Sequence, residues 1–309
     1  MKKHLLKMLD LSPDDIYEIL NLADQLKYDQ LHGIPHRLLE GKTLVTIYEK
    51  PSTRTRISFE TGMFQLGGLA MYLSGKESQV GRGEPMEDTA RTLSRYCDGI
   101  MMRTFRQEDL EQLARYATVP VINGMTDFSH PCQVLADLMT IRERFAHLDG
   151  IKLAYIGDGD NMCQSLIVGG LKCGMEVAAA TPHDYRPKQE ILDFAASDPE
   201  FVFTLTEDPR EAVKDADVVF TDVWVSMGKE AEAEARRKAF QGFQVDDELL
   251  TLASPGCMVQ HCLPAHRGEE ITAQVLEAHA DEIFDEAENR LHVQKAIMCL
   301  LLGANNAED

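Results

Sequence analysis

The sequence predicts an α/β protein in which mainly parallel sheets are flanked by helices. Short apolar runs alternate with stretches of helical periodicity, a pattern typical of parallel strands that are connected by helices. The chain has 309 residues, more than a single hydrophobic core usually serves, so two domains of roughly 150 residues each are expected. We place the first domain at residues 1–149 and the second at residues 150–309.

The first domain is expected to begin with a helix, because Ser12 can cap it, Pro13 suits its first position and acids follow. Short apolar runs then predict strands at residues 43–48, 69–73, 99–103 and 119–123. Helical periodicity predicts one helix with the apolar positions Ile57, Phe59, Met63 and Phe64, and further helices at residues 86–96, 107–117 and 130–145.

The second domain repeats this alternation. Its predicted strands are residues 152–158, 177–181, 201–205, 217–222 and 257–261. Its predicted helices are residues 162–173, 188–196 and 229–241. A last helix at about 288–305 has an apolar face and is expected to pack back on the first domain.

Composition argues against several classes of protein. The chain has 31 basic and 51 acidic residues and a net charge of −20, which repels nucleic acid and anionic lipid. Lys7 and Asp10 interrupt the N-terminal segment before a signal peptide or membrane span could form. The seven cysteines include no CxxC pair, as expected of reduced thiols. We therefore expect a cytoplasmic protein that binds neither nucleic acid nor membranes.

A cluster of hydroxyls and guanidiniums lies between a predicted strand and a predicted helix, in the segment Ser-Thr-Arg-Thr-Arg (52–56). Backbone N–H groups at a helix start, together with the guanidiniums of Arg54 and Arg56, favour an anion such as phosphate. The alternative is an ordinary capped helix with solvated arginines. Arg103 and His130 also stand at a strand end and a helix start, where α/β proteins bind ligands, although a lone histidine is more often structural.

A Gly-Asp-Gly turn at residues 157–159 follows a predicted strand and suggests a dinucleotide site. Met162 occupies the position of the third glycine, and the strand 177–181 ends without the acid that would hold a ribose. Asp158 and Asn161 suit polar contacts with a small zwitterion better, or they simply cap a tight turn.

Two further strand ends have polar side chains. Asp222 and Ser226 could bind an ammonium group, or they could belong to a turn and a helix cap. The segment His-Cys-Leu-Pro-Ala-His-Arg-Gly (261–268) contains two imidazoles and a thiol, but a structural zinc needs four ligands, and no second pair has suitable spacing. We therefore predict no metal, and Cys262 is considered as a covalent nucleophile.

Four of these segments together resemble the aspartate/ornithine carbamoyltransferase family. They are STRTR (52–56), HPCQ (130–133), DVWVSMG (222–228) and HCLPAHRG (261–268). The last two look like the ornithine branch, and the resemblance extends from about residue 5 to residue 303. It implies two Rossmann-like domains, one for carbamoyl phosphate and one for an amino acid, assembled as homotrimers with sites at subunit contacts. It also implies transfer of a carbamoyl group from carbamoyl phosphate to L-ornithine, giving L-citrulline and phosphate without a cofactor.

The resemblance also implies roles for individual residues. Carbamoyl phosphate would be bound by Ser52, Thr53, Arg54, Thr55, Gln79, Arg103, His130, Gln133, Cys262, Leu263 and Arg290. The catalytic residues would be Arg103, His130 and Cys262, and Gln79 would reach into the site of a neighbouring subunit. Ornithine would be bound by Asn161, Asp222, Ser226 and Met227. Asp160 departs from the family pattern, because many relatives have Asn there, and it adds a carboxylate nearby.

Three alternatives compete with this interpretation. Another amino acid such as aspartate could be the acceptor, but residues 222–228 offer an acid and no cation, which favours ornithine. A nicotinamide-dependent dehydrogenase could use the same sheet, against which the poor glycine turn argues. A non-catalytic anion-binding module would not require donors for phosphate, carbonyl and amine together.

Overall fold

The computed structural model describes residues 3–75 and 78–303, which form two compact units. The α-helices are α1 (Pro13–Leu31), α2 (Thr53–Gln65), α3 (Met86–Leu93), α4 (Gln107–Tyr116), α5 (Pro131–Phe145), α6 (Asn161–Lys172), α7 (Gln189–Ala195), α8 (Pro209–Val213), α9 (Ala233–Ala239), α10 (Asp247–Leu250), α11 (Ala273–Ala278) and α12 (Ala280–Leu302). The strands are β1 (Thr43–Tyr48), β2 (Leu69–Ser74), β3 (Gly99–Arg103), β4 (Val121–Met125), β5 (Lys152–Ile156), β6 (Glu176–Ala180), β7 (Phe203–Thr206), β8 (Val218–Thr221) and β9 (Met258–His261). Short 3-10 helices lie at Met8–Asp10, Val80–Arg82, His183–Tyr185 and Glu230–Glu232.

The first unit comprises the described residues up to Ala136 and those from Glu288 onward. Its sheet has the order β2-β1-β3-β4, and these strands pair in parallel. The inner strands β1 and β3 are largely buried, whereas the edge strand β2 exposes much of its surface. Because the strands are parallel, their carboxyl ends meet at one edge of the sheet, where α/β proteins place their binding groups.

The second unit comprises residues 137–287, and its sheet has the order β7-β6-β5-β8-β9. These strands also pair in parallel. The helix α6 follows the central strand β5 and is buried from Asn161 to Leu171. A second set of strand ends is therefore available at the carboxyl edge of this sheet, after β5, β8 and β9.

The start of α1 is a capping box. The Ser12 hydroxyl accepts a hydrogen bond from the Asp15 N–H at 3.1 Å, and the Asp15 carboxylate accepts one from the Ser12 N–H at 2.9 Å. Two N–H groups that the helix itself cannot satisfy are thus paired. The predicted N-terminus of this helix is confirmed.

The predicted fold class is confirmed, since each unit contains a parallel sheet flanked by helices. The strand β4 begins at Val121, two residues later than predicted, because Pro120 has no N–H to donate to a strand ladder. The predicted apolar face of α2 is wrong at two positions. Phe59 and Met63 are buried, but Ile57 is 55% exposed and Phe64 is 78% exposed.

Helix lengths differ from the prediction in the later part of the chain. The short helices α8, α10 and α11 were not expected, and α12 begins at Ala280, eight residues earlier than predicted. The charged residues at the start of α12 hide the helical pattern, because the apolar face is sparse until the helix becomes buried. Residues 304 and 305, which the prediction included in the last helix, lie outside the described residues.

The chain passes between the two units inside helices. It crosses within α5, between Ala136 and Asp137, and returns within α12, between Ala287 and Glu288. The predicted boundary at residue 149 lies in the loop after α5, and as a boundary between two binding functions it stays a prediction. None of the described helices combines the length and apolarity needed to cross a membrane.

Candidate functional site

The first cluster of polar groups lies at the N-terminus of α2, shortly after β1. Ser52 is the N-cap, and its hydroxyl accepts a hydrogen bond from the Thr55 N–H at 3.2 Å. Thr55 is buried, Ser52 and Arg54 are partly exposed, and Thr53 is exposed. The helix dipole and the N–H groups of the first turn make this end electropositive.

Two guanidiniums converge on the hydroxyl of Thr55. Arg103, the last residue of β3, donates from Nη1 to Thr55 Oγ1 at 3.4 Å, and Arg290 of α12 donates from Nη2 to the same oxygen at 3.2 Å. Arg290 also donates from Nη1 to Gln133 Oε1 at 2.5 Å. Arg103, Gln133 and Arg290 are all buried. The first unit therefore brings together residues from β3, α2, α5 and α12 that the sequence separates widely.

His130 immediately precedes α5 and is buried beside these cations. Burial holds the pKa of its imidazole well below the usual value, and the charges of Arg290, Arg103 and Arg54 lower that pKa further. The ring is therefore neutral at physiological pH. A neutral imidazole here can donate one hydrogen bond to a substrate oxygen without adding a further charge to the cluster.

Arg56 does not belong to this cluster, although the sequence predicts its guanidinium in the anion site. Its Nε lies 2.8 Å from Glu60 Oε1, and its guanidinium lies 3.9 Å from the centroid of the Tyr72 ring. The helical period explains the correction, because residues two positions apart on a helix, such as Arg54 and Arg56, point in different directions. Arg290, 235 residues from Thr55 in the sequence, supplies the second buried guanidinium instead.

Gln79 is an exposed residue of the loop after β2. Its carbonyl accepts hydrogen bonds from the N–H groups of Arg82 and Glu84 at 2.9 and 3.0 Å. Within the described part of the chain, no hydrogen bond joins its side chain to the cluster around Thr55. Its assignment to the site of a neighbouring subunit stays a prediction.

The second cluster lies at the carboxyl edge of the second sheet, where Asp222 follows β8 and Cys262 follows β9. Asp222 Oδ1 accepts hydrogen bonds from the Cys262 thiol at 3.1 Å and from the Val223 N–H at 2.7 Å. Burial raises the pKa of Asp222, although His261 and Cys262 partly offset that rise. This carboxylate is therefore a stronger proton acceptor than an exposed aspartate.

The Cys262 thiol stays protonated. Burial raises its pKa well above the usual value, and the neighbouring Asp222 carboxylate adds to that rise. Only a thiolate is an effective nucleophile, so the structure favours Cys262 as a hydrogen-bond donor over the covalent role considered from the sequence. Its assignment as a catalytic residue stays a prediction.

His261 holds the turn that follows β9, a role not assigned from the sequence. Its Nδ1 accepts a hydrogen bond from the Leu263 N–H at 2.9 Å, so its Nε2 carries the hydrogen that faces Glu270 Oε1 at 3.0 Å. His261 and Glu270 are fully buried. Leu263 has a φ of 55°. This value lies in the left-handed region, which a leucine adopts only where surrounding contacts stabilise the turn. In the sequence, the signals for this role are a histidine directly before the turn and an acid nine residues later.

Ser226 and Met227 lie in the turn after β8, where Ser226 is partly exposed and Met227 is 42% exposed. The Ser226 carbonyl accepts a hydrogen bond from the Lys229 N–H at 3.0 Å. Asn161 is the first residue of α6 and is buried. Asn161, Asp222, Ser226 and Met227, the four residues predicted to bind the amino acid, thus come from the segments that follow β5 and β8.

The glycine turn after β5 is used for packing. A Cβ atom on Gly159 would lie 2.4 Å from the backbone nitrogen of Pro187 and 2.5 Å from the carbonyl oxygen of Tyr185. Asp158, for which the sequence suggested a zwitterionic ligand, is bound by Arg236 Nη1 at 2.6 Å. The close backbone contact accounts for the glycine without a pyrophosphate, which argues against the dinucleotide alternative.

Among residues 3–75 and 78–303, two groups of donor atoms have the spacing of a metal site. The ligand atoms of Asp222, His261 and Cys262 lie within 4.8 Å of one another, as do those of His266 and the acids at positions 269 and 270. In the first group, both ring nitrogens of His261 already have hydrogen-bond partners. The expectation that no metal binds stays a prediction.

Comparison with known proteins assigns both units to one family. Residues 3–143 match the carbamoyl-P binding domain of aspartate/ornithine carbamoyltransferase, and residues 149–301 match the Asp/Orn binding domain of the same family. The ornithine carbamoyltransferase of Pyrococcus abyssi is 54% identical over 304 residues, which cover 97% of this chain and 96% of that protein. The structure of ornithine carbamoyltransferase from Pyrococcus furiosus is similar with a TM-score of 0.93 at 52% identity, covering 97% of both chains. That of the anabolic enzyme from Campylobacter jejuni has a TM-score of 0.93 at 43% identity, covering 99% of this chain and 100% of that one.

We expect the free energy of unfolding to fall as the pH is lowered from about 7 to 5. His130 stays neutral in the folded state because its pKa is depressed, whereas the unfolded chain takes up a proton near pH ~6.5. The neutral imidazole therefore contributes to the free energy of unfolding at pH values above the pKa that histidine has in the unfolded chain. This contribution is lost as the pH falls below that pKa. Burial also lowers the pKa of His4, to about 4, which acts in the same direction.

Urea denaturation at pH 5, 6 and 7 measures this effect. A His130→Asn variant should lose less stability between pH 7 and pH 5 than the unmodified protein does. The control is His183→Asn, since His183 is 71% exposed, and this variant should keep the full pH dependence. Equal pH dependence in the His130→Asn variant and the unmodified protein would contradict the assignment of a neutral, buried imidazole.

Proposed function

The chain belongs to the aspartate/ornithine carbamoyltransferase family, and we propose that it transfers the carbamoyl group of carbamoyl phosphate to the side-chain amine of L-ornithine. The products are L-citrulline and phosphate, a reaction of arginine metabolism. The observation that carries the proposal is the convergence of the buried Arg103 and Arg290 on Thr55 at a helix N-terminus. Family membership excludes the dehydrogenase alternative, and the names of the similar proteins argue against a non-catalytic module.

The first unit supplies the groups that carbamoyl phosphate requires. We assign the phosphate to Ser52, Thr53, Arg54 and Thr55, because a dianion is stabilised by a helix N-terminus and by charge-assisted hydrogen bonds. Arg103 is expected to bridge the phosphate and the carbonyl, and Arg290 adds positive charge.

The carbamoyl group needs different contacts. Arg103, Thr55 and the neutral His130 are assigned to the carbonyl oxygen, where negative charge develops as the amine attacks. Gln133 is assigned to the carbamoyl NH₂ group, since its Oε1 is oriented by Arg290 at 2.5 Å. The predicted contacts of Cys262 and of the Leu263 carbonyl with carbamoyl phosphate stay predictions.

The second unit supplies groups suited to a diamino acid. Asn161, Ser226 and Met227 are assigned to ornithine together with Asp222, which is partly buried and directly follows β8. The cations of this region are engaged, because Lys229 and Arg236 contact the carboxylates of Asp158 and Asp160. An aspartate acceptor would bring a second carboxylate and find no cation available for it among these groups, so ornithine is favoured.

The attacking amine must lose a proton. A free amine of this kind has a pKa near ~10.4, so only about one molecule in a few thousand is neutral at pH 7. Asp222, with its raised pKa, favours a hydrogen bond from the amine, and the departing phosphate can accept the proton. Positioning and stabilisation of the developing oxyanion then provide the catalysis. A steady-state assay with carbamoyl phosphate and a panel of amino acids tests the function directly.

We expect Arg103→Ala to lower the turnover number by about 10²- to 10³-fold, or ~3 to 4 kcal/mol, because one donor to the developing oxyanion is lost. Steady-state kinetics with saturating ornithine measure the effect, and circular dichroism checks that the fold is retained. The control is Arg91→Ala, which removes an exposed guanidinium from α3 and should change turnover less than twofold. A folded Arg103→Ala protein with unmodified rates would contradict the assignment.

We expect Asp222→Asn to raise the KM for ornithine roughly tenfold or more, since a carboxylate partner of the amine is lost. The KM for carbamoyl phosphate should change far less, because most of the groups assigned to that substrate lie in the first unit. Asp193→Asn, at an exposed position of α7, is the matched control and should affect neither constant. Comparable rates with aspartate as the acceptor would show that the second unit has been misassigned.

We propose that the chain forms a homotrimer or a multiple of it. The outer face of α2 and the edge strand β2 expose large apolar side chains, which soluble monomers rarely cluster in this way. They are Ile57, Phe64, Leu69, Met71 and Tyr72.

A cytoplasmic location is proposed as well, with the seven free cysteines as support.

Mixing two inactive variants tests whether sites are shared between copies. Gln79→Ala and Arg103→Ala chains should each be inactive alone, but in hybrid trimers some sites receive an intact Gln79 from a neighbouring copy and keep their own Arg103. Random assembly at equal concentrations should restore about one quarter of the unmodified activity, given the cyclic symmetry of a trimer. A fully active monomer in analytical ultracentrifugation would disprove shared sites.

A further inference from the structure

A partly buried ion-pair cluster lies beside the residues assigned to ornithine in the second unit. Lys229 directly follows the turn Ser226-Met227-Gly228, and its Nζ lies 2.6 Å from Asp160 Oδ2 and 3.4 Å from Asp158 Oδ2. Asp160 directly precedes Asn161. The ion pair between Lys229 and Asp160 therefore connects the segment after β8 to the start of α6.

Asp160 does not use its carboxylate in the usual way for its position. It is the N-cap of α6, with an extended backbone, yet its side chain accepts no hydrogen bond from an N–H group of the helix. Aspartate at an N-cap normally caps the helix through its side chain. Here the carboxylate accepts a hydrogen bond from Lys229 instead, so the position serves the contact with the turn.

The turn that carries Lys229 is compact. Gly228 has a φ of 94°, its N–H donates to both carboxylate oxygens of Glu230 at 3.0 Å, and the Lys229 N–H donates to the Ser226 carbonyl at 3.0 Å. Because Lys229 is bonded to the backbone of Ser226, a movement of the lysine also moves that residue. A contact that fixes the Lys229 side chain therefore also restricts the positions of Ser226 and Met227.

The cations of this cluster are each paired with carboxylates, and Arg236 also binds the exposed Glu232 through Nε at 3.0 Å. Asp158 and Asp160 face Lys229 and Arg236, and Arg236 also donates to the Trp224 carbonyl at 3.1 Å. Arg236 is buried, which makes Asp158 and Arg236 the fixed part of the cluster. The side chains of Lys229 and Asp160 are 30% and 20% exposed, so their attraction is accessible to screening by salt.

We propose that the ion pair between Lys229 and Asp160 is a tether that holds the 226–230 turn in the position in which Ser226 and Met227 bind ornithine. Lys229 and Asp160 are positioning residues in this proposal, which rests on the proposed function. Asp160, which departs from the family pattern, is then matched by a lysine at position 229. The carboxylate that it adds is neutralised and does not act on the substrate.

Kinetics of Lys229→Gln, Asp160→Asn and the double variant test the tether. Each single variant should raise the KM for ornithine by roughly two- to fivefold, the range for a partly exposed ion pair. The turnover number and the KM for carbamoyl phosphate should change less than twofold. In the double variant the two effects should not multiply, since either substitution alone already breaks the pair. Independent, multiplicative effects would overturn the proposal.

Salt and a conservative variant provide readouts that a purely structural role would not move. Raising the sodium chloride concentration should increase the KM for ornithine of the unmodified enzyme more than that of the double variant. Lys229→Arg should keep most of the affinity, because it keeps the charge. The control is Glu248→Gln, which breaks an exposed ion pair with Arg210 elsewhere in the same unit and should leave the KM for ornithine and its salt dependence unchanged.

Inhibition by L-norvaline, which is ornithine without the side-chain amine, separates positioning from a direct charge effect. A displaced turn should weaken norvaline and ornithine by similar factors in Lys229→Gln. If ornithine alone is weakened, the ion pair acts on the amine and the tether is wrong. Failure of the unmodified protein to carbamoylate ornithine would disprove the proposed function, whereas an active enzyme whose KM is indifferent to Lys229→Gln would disprove the tether alone.

Discussion

The structure of the first unit is organised around positive charge that is concentrated out of water at the N-terminus of α2. Arg103 and Arg290 share the hydroxyl of Thr55, and their charges contribute to the depressed pKa of His130. Buried cations that repel one another are costly until an anion is bound. The same arrangement therefore selects a phosphate-bearing substrate and keeps the adjacent imidazole neutral, although the whole chain has a net charge of −20.

In the second unit the charge at the strand ends has the opposite sign to that in the first unit. Its strand ends present carboxylates, of which Asp158 and Asp160 are balanced by Arg236 and Lys229. Asp222 is bonded to a thiol and a backbone N–H, neither of which neutralises it. The unbalanced carboxylate is thus the one assigned to the ornithine amine, while the balanced ones shape the surrounding turns. Carboxylates that are already paired with cations position the backbone and compete less for the charged substrate.

Much of the fold could be predicted because strands buried on both faces appear as apolar runs in the sequence. Residues 43–48 and 99–103 became β1 and β3 with the predicted limits. The apolar pattern predicted burial wrongly where the exposure of a helix face depends on which other segment of the protein packs on it. Ile57 and Phe64 lie at apolar positions of α2 but remain exposed, and the first turns of α12 are too polar to be recognised. Short helices such as α8 have too few residues for a period to be detected.

Local sequence determined the caps, the strand ends and the family, since each depends on residues that are close together along the chain. Ser52, Arg103, His130 and Asp222 could be chosen from it because a strand end or helix start marks a binding position in an α/β fold. Only the tertiary structure decided which side chains meet. It joined Arg290 to Thr55, turned Arg56 towards Glu60, and paired Lys229 with Asp160. These contacts depend on the direction of each side chain after packing, which no local pattern encodes.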